Sequence, residues 1–166
     1  MMAAMSEALV GLGSNLDDPR RQIERAIAEL ALLQHTQLLA VSDLYQSEPV
    51  GKRDQPDFVN AVVKLRTGMP PEALLDRLLD IEQRAGRTRL ERWGPRVLDL
   101  DLLMYGDVVR MSVAPIIPHP RMHERAFVLV PLLDVAGDIM IPGHGNVSDC
   151  LQKLGPQRLA RCDRSF

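Results

Sequence analysis

TQLLAVSDLYQSEPVGKRDQPDFVNAVVKL, residues 36–65, decides the architecture. Thr36 to Ser47 is rich in β-branched and apolar residues and reads as an extended strand. Phe58 to Leu65 reads as another. Its alternation puts Phe58, Asn60 and Val62 on one face and Val59, Ala61, Val63 and Leu65 on the other, the core side. Between them, Glu48 to Pro56 carries prolines, a glycine and charged side chains, the composition of a polar loop. Strands this close in sequence pair antiparallel, because a parallel pair needs a crossover of about a dozen residues or more. Helical and extended segments mix along the rest of the chain without the strict alternation of a doubly wound sheet. The expected class is therefore α+β, a mostly antiparallel sheet flanked by helices.

Outward from this hairpin, Ala8 to Gly11 reads as a short strand entering a tight turn, G-L-G-S-N. Asp17 or Asp18 before Pro19 reads as an N-cap with proline in the first turn, and Ile23, Ile27 and Leu30 form that helix's buried stripe. On the other side, Pro70 and Pro71 open a helix with Leu74, Leu78, Ile81 and Ala85 on one stripe and Gly86 as its stop. Val97 to Leu103 is a strongly alternating strand. After a proline-punctuated loop from Pro115 to Pro120, a helix is expected from about Glu124 to Ala136. A short strand at Ile139 to Ile141 and a last helix near Ser148 to Leu154 complete the pattern. No repeat or linker interrupts the 166 residues, so one domain over residues 1–166 is expected.

Composition narrows the class of function. Hydrophobic residues at 46% and charged residues at 25% are the balance of a soluble globular protein. No apolar run approaches the roughly 20 residues needed to span a bilayer, and the N-terminus lacks the basic start of a signal peptide, so a cytoplasmic protein is expected. A formal net charge of −2 gives no global field to draw in nucleic acid or an anionic membrane. Cys150 and Cys162 have no metal-ligand spacing and read as reduced thiols.

The chemistry concentrates in GRTRLERWGPRVLDLDLL, residues 86–103. On a strand, Asp99 and Asp101 point to the same side while Leu98, Leu100 and Leu102 point to the other. Side-by-side carboxylates repel unless a cation lies between them, and such hard oxygen ligands suit Mg²⁺ together with substrate phosphates; the plain alternative is a wet outer face of the sheet. Just before them come Arg84, Arg87, Arg89, Arg92 and Arg96, whose planar forks match phosphate oxygens. Cations for phosphate beside anions for a bridging metal are what phosphoryl transfer requires, whereas a nucleic-acid module would have no use for the aspartates. Trp93, the only tryptophan, lies inside this charged loop, where it either anchors the loop or stacks on a flat heterocycle. Phe58 and Asn60 offer a ring to stack and an amide able to donate and accept. G-L-G-S-N-L at 11–16 lacks a third glycine and a Gly-Lys-Ser/Thr ending, so it is read as a structural turn. His119 and His123 stand at zinc-pair spacing, without further ligands to close a structural site.

In this order the motifs resemble the 6-hydroxymethyl-7,8-dihydropterin pyrophosphokinase family. The resemblance covers nearly the whole chain: GLGSNL (11–16), YQSEPVG (45–51), DQPDFVNAV (54–62), RWGPRVLDLDLLMYG (92–106), PHPRMHERAFVL (118–129) and PLLDVA (131–136). It implies a ferredoxin-like sandwich, and attack of the pterin hydroxyl on the β-phosphorus of ATP, the co-substrate, with release of AMP. Asp99 and Asp101 match the aspartates that hold two Mg²⁺ ions. Arg87 and Arg96 match catalytic arginines that neutralise the phosphates. Glu82, Arg89, Arg92, His119, Arg125 and the backbone of Leu102 match the ATP site. Phe58 and Phe127 match the aromatic pair that sandwiches the pterin, with Ser47, Val50, Gly51 and Asn60 completing its pocket and Trp93 closing over it. Phe58 stands where many members have tyrosine, Ala114 where some have arginine and Leu79 where some have glutamine. The loops Glu48–Pro56 and Gly86–Pro95 read as lids. The expected partners are small-molecule substrates, with no nucleic acid and no membrane, and the expected state is a monomer. A non-catalytic pterin- or nucleotide-binding relative is the competing reading.

Overall fold

In the computed structural model, residues 4–49, 54–86 and 97–162 are described. Strand β1 (Ser6–Ser14) leads to helix α1 (Pro19–Ala31), then to strands β2 (Thr36–Val41), β3 (Tyr45–Ser47) and β4 (Phe58–Thr67). Helix α2 (Pro71–Arg84) and strand β5 (Asp99–Tyr105) follow. A 3-10 turn (Met122–Glu124) precedes helix α3 (Ala126–Ala136), a small ribbon of β6 (Met140–Ile141) and β7 (Gly145–Asn146), helix α4 (Val147–Lys153) and strand β8 (Leu159–Arg161).

The hairpin expected from residues 36–65 is present, and all pairings in the sheet are antiparallel. Its first arm is broken. Ser42 inserts between β2 and β3, donating its N–H to the Val62 carbonyl and accepting the Val62 N–H on Oγ, both at 2.9 Å. Strand order is β5-β1-β4-β3-β8, with β2 beside the far end of β4. The succession β1-α1-β2/β3-β4-α2-β5, with β1 between β4 and β5, is the ferredoxin-like arrangement.

Both faces of the sheet are covered. Val10, Leu12, Ala61, Val63, Leu65, Leu98 and Leu100 pack against α1 and α2 through Ile23, Leu30, Leu74, Leu78 and Ile81. Each fully buried aliphatic side chain stabilises the fold by about 1.5–3 kcal/mol. Leu9, Val62 and Leu103 meet α3 and α4 on the opposite face through Leu129, Leu132 and Val147. Val62 is therefore as deeply buried as the predicted core face: α3, apolar nearly all round, roofs that end of the sheet. Asp134 secures this roof, accepting from the Tyr45 hydroxyl at 2.7 Å and from the Asp43 N–H at 3.2 Å.

Several boundaries shift for local reasons. β1 continues through Gly11 and Gly13 to Ser14, so G-L-G-S is strand and not the expected turn, with Asn15 just beyond it. Asp18 adopts a left-handed conformation (φ 61°) and makes no side-chain cap, which leaves Pro19 as the start signal of α1. The helix expected from Glu124 is divided at Arg125, whose extended backbone (φ −122°, ψ 109°) ends the 3-10 turn and begins α3. β8 was not expected from the sequence.

Candidate active site

α3 roofs only part of its face, and the adjoining part carries the predicted chemistry. Cross-strand register places Asp99 opposite Gly13, Gly13 opposite Asn60, and Asn60 opposite Tyr45. The neighbouring row runs Asp101, Gly11, Val62. With strands about 4.8 Å apart, the carboxylate strand and the Asn60 strand lie roughly 10 Å from each other, separated by residues that have no side chain. The result is a trough floored by glycine. A Cβ on Gly13 would stand 3.5 Å from Asn60 Oδ1 and 3.8 Å from the Phe58 ring. Gly13 is thus a site residue that sequence reasoning assigned to a turn, whereas Gly11 lies beneath the buried Leu103 side chain, 3.5 Å from where a Cβ would stand.

Asp99 and Asp101 are half-buried on the same side of β5, as alternation requires, while Leu98, Leu100 and Leu102 enter the core. Leu102 thus offers only backbone to a ligand on the Asp face. Glu82, near the end of α2, is 3% exposed and accepts the Leu100 N–H at 2.7 Å. That bond ties α2 to the residue between the aspartates. A hydrogen bond of this kind to a buried carboxylate is stronger than one between neutral groups.

On the other bank, buried Asn60 donates to Ser47 Oγ at 2.7 Å and to the Tyr45 carbonyl at 3.4 Å. Its amide nitrogen is thus directed into the protein, while Oδ1 faces the Gly13 side of the trough. The amide read from sequence as both donor and acceptor is presented here as an acceptor. Phe58 is half-buried and pairs with Ser47 across the strands. Ser47 and Phe127 line one cavity of about 290 Å³, together with Pro49, Glu124 and Arg125. The Arg125 guanidinium lies over the Phe127 ring, 5.6 Å from its centroid.

His119 and Arg125 bring this turn to the aspartates. Burial pushes the His119 imidazole below its ordinary pKa; the Asp101 carboxylate opposes the shift and the Arg125 and Arg121 cations add to it. Burial likewise lowers Arg125, against the attraction of Asp101 and Asp99. His119 is anchored by its N–H to the Leu103 carbonyl at 2.9 Å, and its Nδ1 accepts the Arg121 N–H at 3.2 Å. Arg121, which the sequence groups with His119, His123 and Arg125, also lines the cavity, as does Gln157, which had no sequence signal. His123 stacks on His144, with ring centroids 3.6 Å apart. Among the described residues no group of three or more His, Cys, Asp or Glu side chains is arranged to hold a metal. Val50, Gly51, Arg87, Arg89, Arg92, Trp93 and Arg96 lie outside the described residues, as do residues 50–53 of the first expected lid and 87–95 of the second.

A sequence model of the 7,8-dihydro-6-hydroxymethylpterin-pyrophosphokinase (HPPK) family matches residues 9–137. The chain belongs to the HPPK family. The 2-amino-4-hydroxy-6-hydroxymethyldihydropteridine pyrophosphokinase of Haemophilus influenzae is 41% identical to it over 157 residues, 95% of this chain and 98% of that HPPK relative. The Pseudomonas aeruginosa protein of the same name is 48% identical over 146 residues, 86% of this chain and 88% of its own length. In fold, the chain is similar to the Plasmodium falciparum HPPK-DHPS crystallised with pteroate, at a TM-score of 0.70 and 14% identity. That likeness covers 90% of this chain, which spans 42% of the longer Plasmodium chain, and it bears on the HPPK fold alone. Among the described residues no helix is long and apolar enough to cross a membrane.

Proposed function

We propose that the chain transfers the terminal diphosphate of ATP to the hydroxymethyl group of 6-hydroxymethyl-7,8-dihydropterin, releasing AMP, as a step of folate biosynthesis. Family membership supports the reaction. The observation that carries its location is the row Asp99, Gly13, Asn60, which sets an acidic bank and a hydrogen-bonding bank on either side of a bare strand. The hydroxymethyl oxygen gives up its proton to solvent and bonds to the β-phosphorus while the bond from that phosphorus to the oxygen bridging the α-phosphate breaks, and AMP leaves with that oxygen.

On this reading the pterin lies in the trough between Phe58 and Phe127. Asn60 Oδ1 accepts an N–H from its amide edge, and Ser47 holds the Asn60 side chain in that orientation. Val50, Gly51 and Trp93 close the pocket. Asp99 and Asp101 would hold two magnesium ions. Two half-buried carboxylates at alternate positions on one strand face fit Mg²⁺, which typically takes one or two carboxylates and completes its shell with phosphate oxygens and water. When bound, magnesium supplies positive charge against the polyphosphate oxygens. Arg125 adds a fixed cation beside the aspartates, and Arg87, Arg89, Arg92 and Arg96 close further guanidinium groups on the phosphates. His119, held toward its neutral form, adds a donor or acceptor without another charge. Glu82 keeps β5 in place through Leu100. The proposed state is a monomer of one domain.

The test is AMP release from ATP, Mg²⁺ and the reduced pterin alcohol, beside a metal-free control. Asp99→Asn and Asp101→Asn, which keep side-chain size, should each lower kcat about 100-fold or more with the circular dichroism spectrum unchanged. Pterin binding by wild type without AMP release would favour a non-catalytic binding protein. Normal turnover by both variants would remove the aspartates from the mechanism.

A further inference from the structure

We propose that Gln157 is a positioning residue of this site: its side-chain amide brackets Arg125 and thereby fixes Arg125 and Phe127 toward the substrate. The inference rests on the pyrophosphokinase reading and extends the site beyond the last motif that carries the resemblance. Gln157 Oε1 accepts the Ala126 N–H at 2.9 Å, and Gln157 Nε2 donates to the Glu124 carbonyl at 2.9 Å. These are the backbone groups on either side of Arg125. The first N–H groups of a helix have no partner within it, and a side chain at the N-cap usually supplies one. Arg125 is the N-cap of α3 and makes no such bond. An amide from 31 residues further along the chain supplies it instead.

A planar amide holds its oxygen and nitrogen at a fixed separation, so binding both backbone groups at once sets the extended conformation of the residue between them. Arg125 projects from that residue toward Asp101 and Asp99, and Phe127 follows on the first turn of α3 beneath the guanidinium. Gln157 is itself held from the sheet. β8 pairs with β3, Leu159 opposite Ser47 and Arg161 opposite Tyr45, and the Cys162 N–H donates to the Leu44 carbonyl at 2.8 Å. Arg158 bridges to Glu48 at 3.2 Å on the cavity wall. β3 also carries Ser47, the acceptor that orients Asn60. One short strand is thus the common reference for Asn60 on one bank and, through Gln157, for Arg125 and Phe127 on the other.

Gln157→Ala removes both bonds. Gln157→Glu keeps an acceptor for Ala126 but sets a carboxylate against the Glu124 carbonyl. Gln157→Asn is a methylene shorter. Arg161→Ala, on the strand β8 that follows Gln157, leaves the amide in place and serves as control. Steady-state kinetics should show the pterin KM raised roughly 10-fold in Gln157→Ala and kcat/KM lowered roughly 10- to 100-fold, because small misplacements of a positioning group cost rates of that order. Gln157→Glu and Gln157→Asn should be impaired, and Arg161→Ala should resemble wild type. A role in stability alone would shrink the folded fraction, lowering apparent kcat and leaving KM where it was. Hydrogen exchange at the Ala126 amide should quicken in Gln157→Ala. Wild-type KM in both the Ala and Glu variants, or unchanged Ala126 exchange, overturns the clamp. If Gln157→Ala does not fold, Gln157→Glu decides by the same readings. A wild-type protein that releases no AMP would instead sink the pyrophosphokinase reading, while the exchange measurement would still judge the clamp.

Discussion

Gly13 contributes to the site by having nothing to put there. It sits between Asp99 and Asn60 in an unstrained strand, so alanine meets no backbone penalty, and its Cβ would find ordinary contacts at 3.5 Å and 3.8 Å from Asn60 and Phe58. Gly13→Ala should therefore fold normally and lose substrate, with the pterin KM raised about 10-fold by steric exclusion equivalent to one misplaced methyl group. Isothermal titration with the pterin, beside a thermal melt, checks both halves. Unchanged affinity would mean that the ring lies elsewhere. The aspartates and this glycine differ in how they read from sequence. Asp99 and Asp101 declare their common face by alternation within a single strand, and the charge pattern around them names a chemistry. Gly13 acquires its role only when β1 is laid between β4 and β5, a relation between distant segments; within its own segment, G-L-G-S-N has the composition of a turn. Asn60 was legible as a polar residue on a strand, but its orientation depends on Ser47, 13 residues away across the hairpin.

At the scale of elements, the site is held by a few bonds between a helix and a strand end. Glu82 ties α2 to β5 at Leu100. Glu82→Ala leaves a buried N–H without this acceptor, at a cost of about 1–3 kcal/mol. Glu82→Gln retains a carbonyl oxygen and should lose less. Urea denaturation should rank stability as wild type, then Gln, then Ala, with the midpoint shifted at constant slope; an Ala variant as stable as wild type would show that α2 holds β5 by packing alone. The hairpin and the stripe of α2 were legible because each is periodic over many residues, and Leu74, Leu78 and Ile81 are all fully buried as the spacing requires. The break at Ser42 was not, since a hydroxyl that replaces strand pairing leaves the surrounding β-branched composition intact. β8 was hidden for another reason. It is a three-residue edge strand, mostly exposed, and nothing in Leu159–Arg161 alternates; its partner β3 is as short, so neither announces the other.

Across the whole molecule, acid should act first through the histidine contact that joins the C-terminal layer to the site. His123 lies on the 3-10 turn before Arg125, and His144 lies between β6 and β7, with the rings stacked at 3.6 Å and nearly parallel. His123 Nδ1 is buried without a hydrogen-bond partner among the described residues. Burial lowers the His123 pKa below its ordinary 6.5, the neighbouring His144 lowers it further, and Glu124, 3.5 Å from Nε2, opposes the shift. Unfolding restores the ordinary value, so the unfolded chain binds the proton more readily than the folded one. The contribution to stability is therefore complete above about pH 6.5 and is lost as the pH falls below it. Asp138, lowered by its bonds to Ser148 at 2.8 Å and 2.6 Å, follows the same sign but loses its contribution only in the carboxylate range, near pH 4 and below. The windows separate. Between pH 7 and pH 5 the thermal midpoint should decline through both lowered histidines, His119 and His123. His123→Gln, which removes one of the two titrating rings, should reduce that slope while leaving the part due to His119 and the decline below pH 4. Equal slopes in the two proteins would place the acid-sensitive group elsewhere. Because the turn that carries His123 runs directly into Arg125, the same protonation should raise the pterin KM before the molecule unfolds, and His123→Gln should lessen that rise, leaving the part that His119 contributes within the site.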